Sequence, residues 1–146
     1  MCGIFGIFSN KLVTKPILDG LTKLEYRGYD SSGISILDNN KKIHTLRAKG
    51  KLKNLINKVN KNFPSGFVGI GHTRWATHGV PSTINAHPHT SESVSIVHNG
   101  IIENYSHLKK KLTKLGYKFY SETDSEVIAH LLDNELKRNN PTLAMK

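Results

Sequence analysis

The chain opens Met1-Cys2-Gly3-Ile4-Phe5-Gly6-Ile7, and how this stretch is read decides the fold. Cys2 is the only cysteine of the protein and stands where removal of Met1 makes it N-terminal. Such a residue carries both a thiol and a free α-amine. A thiol titrates near about 8.5 and an α-amine near about 7.7–8.0, so the amine can accept the thiol proton. The nucleophile then brings its own base, a variant of the Cys/His arrangement. The competing reading is a buried cysteine at the head of a strand, and residues further along decide between the two.

Working outward, Gly3–Phe8 has the apolar content of a buried strand, bounded by Ser9-Asn10. Thr14-Lys15-Pro16 opens a helix with proline in its first turn, and Ile17, Leu18, Leu21 and Leu24 share one face. Residues 32–37 and 43–48 read as strands joined at Asp38-Asn39-Asn40 into a hairpin. Leu52, Leu55, Ile56 and Val59 mark a second amphipathic helix. Residues 67–73 form a strand whose glycines permit close approach of backbone or ligand.

A polar stretch, 74–93, has no helical or strand periodicity, the kind of long loop that often carries function. Residues 94–98 alternate as a strand and end in Asn99-Gly100. Tyr105, Leu108, Leu112 and Leu115 define a third helix stopped at Gly116, followed by a short strand over 117–120. Thr123-x-x-Glu126 has the capping-box pattern before a fourth helix with an apolar face of Val127, Ile128, Leu131, Leu132 and Leu136. Hairpin pairing outweighs regular βαβ alternation, so the fold class is α+β. No repeat or linker divides the 146 residues, which suit one domain with a core.

Composition narrows the function. No apolar run approaches the roughly 20 residues of a membrane span, and a lone cysteine makes no internal disulfide; the expected location is cytoplasmic. The net charge of +10 raises nucleic acid as a partner. The excess is mostly lysine in 39–62 and 107–118, without the interleaved aromatics of a stacking platform. It reads as a solvated surface, so no specific nucleic-acid partner is expected.

The polar loop contains His72-Thr73-Arg74-Trp75-Ala76-Thr77-His78-Gly79 and Asn85-Ala86-His87-Pro88-His89. Two chemistries compete. A metal site could draw on His72, His78, His87 and His89, but their spacing fits no zinc pattern and no cysteine joins them. Alternatively the loop recognises a small zwitterion: Arg74 clamps a carboxylate, Thr77 and His78 add hydrogen bonds, and Trp75 closes over the ligand. Asn99-Gly100 offers a side-chain amide and a backbone N–H, the two donors an oxyanion needs, yet Asn-Gly is also a common hairpin turn. Asp124 reads either as a helix-start residue or as the acceptor of a substrate ammonium.

Taken in order, these stretches resemble the class II glutamine amidotransferases. The closest wording is that of the glutaminase domain in the glutamine–fructose-6-phosphate aminotransferase family. The matching residues are Cys2-Gly3-Ile4, Leu24-Glu25-Tyr26-Arg27-Gly28-Tyr29-Asp30-Ser31, His72 through Gly79 and Asn85 through His89. They continue with Val97-His98-Asn99-Gly100-Ile101-Ile102-Glu103-Asn104 and Glu122-Thr123-Asp124-Ser125-Glu126-Val127-Ile128-Ala129-His130. Arg74-Trp75-Ala76-Thr77-His78-Gly79 favours that family over the phosphoribosyl-pyrophosphate amidotransferases.

The resemblance implies an N-terminal-nucleophile hydrolase fold, an αββα sandwich, and hydrolysis of L-glutamine to glutamate and ammonia without metal or organic cofactor. It makes Cys2 the nucleophile, Asn99 and Gly100 the oxyanion donors, Arg74 the carboxylate partner and Asp124 the ammonium partner. Thr77, His78 and His87 would line the glutamine pocket, Trp75 would lie in its closing loop, and Arg27 would stand behind the N-terminus. The family's glutaminase domain is longer and is followed by sugar-phosphate isomerase domains. On that basis residues 1–146 are a truncated glutaminase domain, incomplete at the C-terminus, with exposed strand edges and apolar faces. Fructose 6-phosphate would be met only through the absent isomerase domains, in a parent enzyme that is a homodimer. The alternatives are a truncated inactive piece that keeps the motifs and, from another class, a basic non-enzymatic binding module.

Overall fold

The structure, a computed structural model, describes residues 2–59, 63–75 and 79–145. Its strands are β1 (Gly3–Phe8), β2 (Ser31–Asp38), β3 (Ile43–Lys49), β4 (Gly66–Arg74), β5 (His89–Thr90) and β6 (Ser95–Ile96). Its helices are α1 (Thr14–Leu24), α2 (Leu52–Lys58), α3 (Tyr105–Lys114), α4 (Glu126–Leu136) and α5 (Pro141–Ala144). The first four strands form an antiparallel sheet of order β1-β4-β2-β3, and β5 and β6 form a small antiparallel second sheet.

Side-chain alternation gives the main sheet two different faces. On one, Ile34 and Ile36 of β2 lie opposite Gly71 and Gly69 of β4. The missing side chains at 69 and 71 leave room for Ile17 and Leu21 of α1, which pack with Leu52 and Leu55 of α2 into the main hydrophobic core. Burying each such Ile or Leu contributes about 1.5–3 kcal/mol. The helix spacing explains the choice: Ile17 and Leu21 are one turn apart and both fully buried.

The other face carries chemistry. Across from Gly33 stands His72, and across from Ser31 stands Arg74. Gly3 pairs with Thr73, so alternation brings the preceding residue, Cys2, to the side of the sheet that holds His72 and Arg74. The second sheet crosses this face, joined by a 2.7 Å bond from the Ser95 hydroxyl to that of Ser35, with α4 packed outside it. The order of layers is therefore helix, sheet, sheet, helix.

Several expectations are corrected. Residues 117–120 form no strand, because the Tyr120 and Ser121 N–H groups donate to the Glu126 carboxylate at 3.0 and 2.8 Å instead of to a neighbouring chain. The same bonds dissolve the capping box: Ser125 is the N-cap, and Thr123 Oγ1 turns to His89 Nε2 at 2.8 Å. The strand at 94–98 shrinks to β6, and β5 lies inside the stretch read as aperiodic. The fully buried side of α4 is Glu126, Ala129, His130 and Asp133 with Val127, not the Leu face. Asn139-Asn140-Pro141 does more than end a helix, since Asn140 caps α5 through a 3.0 Å bond from Leu143 N–H.

Candidate functional site

Beside the C-terminal end of β4 the chain leaves a cavity of about 370 Å³, lined by Cys2, Arg27, Arg74, Trp75, His87, Asn99 and Gly100 among others. Asp124 lines it too, together with Thr123 and Ser125. Eight of the residues expected at the site thus converge from six separate parts of the sequence. Thr77 and His78 lie outside the described residues, as does Met1.

Each convergence has a local cause. Gly28 follows the 3₁₀ turn Glu25–Arg27 and packs on backbone: a Cβ there would come within 2.6 Å of the Arg74 carbonyl carbon. Asp30 N–H then donates to the Arg74 carbonyl at 3.2 Å. The chain after β4 is therefore clamped, and Trp75 N–H is delivered to Cys2 Sγ at 3.2 Å. The Trp75 ring, half-exposed at the mouth, meets Tyr29 edge-on with centroids 5.3 Å apart.

Arg74 is almost wholly buried, and its Nη2 donates to the Gly79 carbonyl at 3.0 Å. Asn85 holds the loop from the other side. Its Nδ2 donates to the Val80 carbonyl at 3.0 Å and to Glu122 Oε2 at 2.8 Å, and its Oδ1 accepts from Glu122 N–H at 2.9 Å. That ties the loop to the segment carrying Asp124. Asp124 Oδ2 in turn accepts the Ile102 N–H at 2.6 Å, drawing in the turn that follows Asn99-Gly100.

Asn99-Gly100 is not a hairpin turn, for no strand follows it. The Asn99 amide instead reaches across the sheet, with Nδ2 donating to the Cys2 carbonyl at 3.1 Å and Oδ1 bonded to His72 Nε2 at 2.8 Å. A thiol, an amide donor and a glycine backbone therefore stand together, with a buried guanidinium and a carboxylate in the same cavity. Such a set can bind a small zwitterion by its two charges and present a third group to the sulfur.

His72, His87 and His89 form a buried cluster: His87 stacks on His72 with centroids 4.3 Å apart, and His89 meets His87 edge-on at 4.4 Å. Burial is the main reason that His72 and His89 are each pushed down to about 4 and His87 further below the ordinary histidine range. They are neutral rings packed on one another. Among the described residues no group of three His, Cys, Asp or Glu is arranged to hold a metal ion.

Sequence reasoning missed His98 and Ser125 as cavity residues. Their mutual bond, His98 Nδ1 to Ser125 Oγ at 3.0 Å, joins positions 27 apart in the chain. His72 was visible only as a possible metal ligand. The one available signal for His98 was its place directly before Asn99.

Comparison with known proteins points to a family. Residues 72–143 match a family model described as a glutamine amidotransferase domain. The glutamine–fructose-6-phosphate aminotransferase (isomerizing) of Buchnera aphidicola subsp. Baizongia pistaciae is 54% identical over 144 residues, covering 98% of this chain and 24% of the relative. Its counterpart in Caldanaerobacter subterraneus subsp. tengcongensis is 57% identical over 135 residues, covering 91% and 22%. The chain thus spans about a quarter of the length of the curated relatives it matches. Among solved structures, the glutamine phosphoribosylpyrophosphate amidotransferase from B. subtilis, complexed with ADP and GMP, superposes with a TM-score of 0.78 at 26% identity, over 99% of this chain and 31% of that one. An allosteric regulatory enzyme of purine biosynthesis gives 0.79 at 27% identity, over 99% and 32%.

Proposed function

This chain belongs to the class II glutamine amidotransferases, and on that premise we propose that it hydrolyses the side-chain amide of L-glutamine with Cys2 as an N-terminal nucleophile. The observation that supports the reading is the shared cavity: Cys2, Asn99 and Gly100 line it together with buried Arg74 and Asp124. Arg74 takes the α-carboxylate of glutamine and Asp124 its α-ammonium, so the amide carbon is directed to the sulfur.

Removal of Met1 frees the α-amine, which accepts the thiol proton. The thiolate adds to the amide carbon, and the oxyanion is met by Asn99 Nδ2 and the Gly100 N–H. As the C–N bond breaks, the α-ammonium returns its proton to the leaving nitrogen and ammonia departs. Water, deprotonated by the same amine, then attacks the γ-glutamyl thioester, releasing glutamate and restoring the thiol. His87 and Trp75 shape the pocket, and Arg27 stands beside it. Residues 77 and 78 are proposed to complete the glutamine contacts. Amination of fructose 6-phosphate, the reaction in the relatives' name, is assigned to the sugar-phosphate portion of such an enzyme, beyond residues 1–146.

Intact mass after treatment with 6-diazo-5-oxo-norleucine, an electrophilic glutamine mimic, tests this. The expected result is loss of the Met1 mass and a single adduct, prevented by excess glutamine and absent in Cys2→Ala. Removal of Met1 without any adduct, in a folded chain, would overturn the assignment. A folded chain that takes up polyanions in a salt-sensitive way and ignores glutamine would favour a binding module instead.

A further inference from the structure

The Asn99 amide has two faces of opposite polarity, and both are held: Nδ2 by the Cys2 carbonyl, Oδ1 by His72 Nε2. An oxyanion beside the sulfur needs Nδ2 turned toward it. At that moment the bond to the Cys2 carbonyl is shared or released, and an exposed amide is free to rotate by half a turn. What then distinguishes oxygen from nitrogen is the contact with His72.

His72 is suited to that role. It sits in β4 with no solvent exposure, and the His87 ring stacks on it at 4.3 Å with an interplanar angle of 25°. Burial pulls it down to about 4, so near pH 7 the ring holds one proton. Since a carboxamide oxygen only accepts, that proton must be on Nε2.

We infer that His72 is a positioning residue: from the buried face of β4, its Nε2–H fixes the Asn99 side chain in the orientation that aims Nδ2 at the reacting carbonyl. This rests on the reading of Asn99 as an oxyanion donor. His72 touches no substrate atom and acts only through that amide.

Glutaminase kinetics of the wild type, His72→Leu, His72→Gln, Asn99→Ala and the His72→Leu/Asn99→Ala double variant test it. Loss of an oxyanion donor lowers kcat by about 10²–10³. Misorienting it through His72→Leu is expected to lower kcat by about 10- to 100-fold, with KM for glutamine within about twofold of wild type. His72→Gln, whose amide N–H occupies the place of Nε2–H, should recover most of the rate. In the Asn99→Ala background the leucine substitution should change kcat no further, whereas a general structural defect would multiply with it.

An unchanged kcat in His72→Leu, or a loss that multiplies fully with Asn99→Ala, overturns the role. Should the leucine variant fail to fold, His72→Gln decides: near-native kcat supports the role, and a folded variant as slow as Asn99→Ala overturns it. A wild type that neither releases ammonia nor takes the diazo-ketone label overturns the glutaminase reading itself, and the positioning role falls with it.

Discussion

Asp124, the proposed ammonium partner, is also tied into the fold. Its Oδ2 accepts the Ile102 N–H at 2.6 Å and its Oδ1 the Ser125 hydroxyl at 3.4 Å, while the residue borders the cavity. Asp124→Asn keeps an acceptor for that N–H and removes the charge. The expected outcome is KM for glutamine raised about 10- to 100-fold, in line with losing a charge-assisted contact of about 1.5–3 kcal/mol, with kcat changed far less. Steady-state ammonia release checks it. Most of this cavity was legible from the sequence because Cys2, Arg74, Asn99 and Asp124 sit in distinctive local wording. His72 and His98 were less so: both lie within that wording, but the bond each makes is to a partner 27 residues away.

At the level of elements, the sequence spoke clearly where apolar spacing made the structure. β1, α1, the β2–β3 hairpin, α2 and β4 all follow the periodicity of Ile, Leu and Val. The second layer did not follow it. β5 and β6 are two residues each, and the buried side of α4 carries Glu126, His130 and Asp133, which take hydrogen bonds from outside the helix. Asp133 accepts from the Ser93 N–H at 3.0 Å and the Tyr117 hydroxyl at 3.0 Å; His130 Nδ1 meets Ser91 Oγ at 3.0 Å. Burial pushes Glu126 up, but the His130 ring 3.7 Å away and hydrogen bonds from the Tyr120 and Ser121 N–H groups and the Ser121 hydroxyl outweigh it and hold it down at about 2.

Two outcomes follow at this scale. Because its folded value is depressed, Glu126 contributes stability that is present above its ordinary value of 4.5 and is lost as pH falls toward about 2. Glu126→Gln should therefore destabilise the fold at pH 7, with the difference from wild type shrinking below pH 4 in urea titrations. Gly71→Ala tests the other layer: its Cβ would meet Ile17 Cγ2 at 2.6 Å and Leu21 Cδ1 at 2.9 Å. Overpacking of this kind costs about 1–3 kcal/mol, to be seen as a lower urea midpoint with an unchanged m-value.

For the molecule as a whole, the buried histidine cluster couples folding to pH. His72 and His89 are neutral in the folded state down to about 4, but charge near 6.5 when unfolded. Between these values the unfolded chain binds more protons, so stability is complete above about pH 6.5 and declines as pH falls toward 4. Each histidine contributes a slope of up to about 1.4 kcal/mol per pH unit. Urea midpoints at pH 7.5, 6 and 5 should fall in that order, and His89→Gln should flatten the trend.

The edge position of β1 has a consequence in time. Among the described residues that strand pairs with β4 alone, so it has no β partner among them until residue 74 has left the ribosome. At ~5–20 residues per second, the intervening seventy or so residues take on the order of ten seconds to synthesise. Through that interval the N-terminus is an unpaired strand open to an aminopeptidase. The Cys2 thiol emerges early, and its cavity is complete only once Asp124 has followed. Under the proposed function, translation order thus separates exposure of Met1 to processing from assembly of the cavity around Cys2.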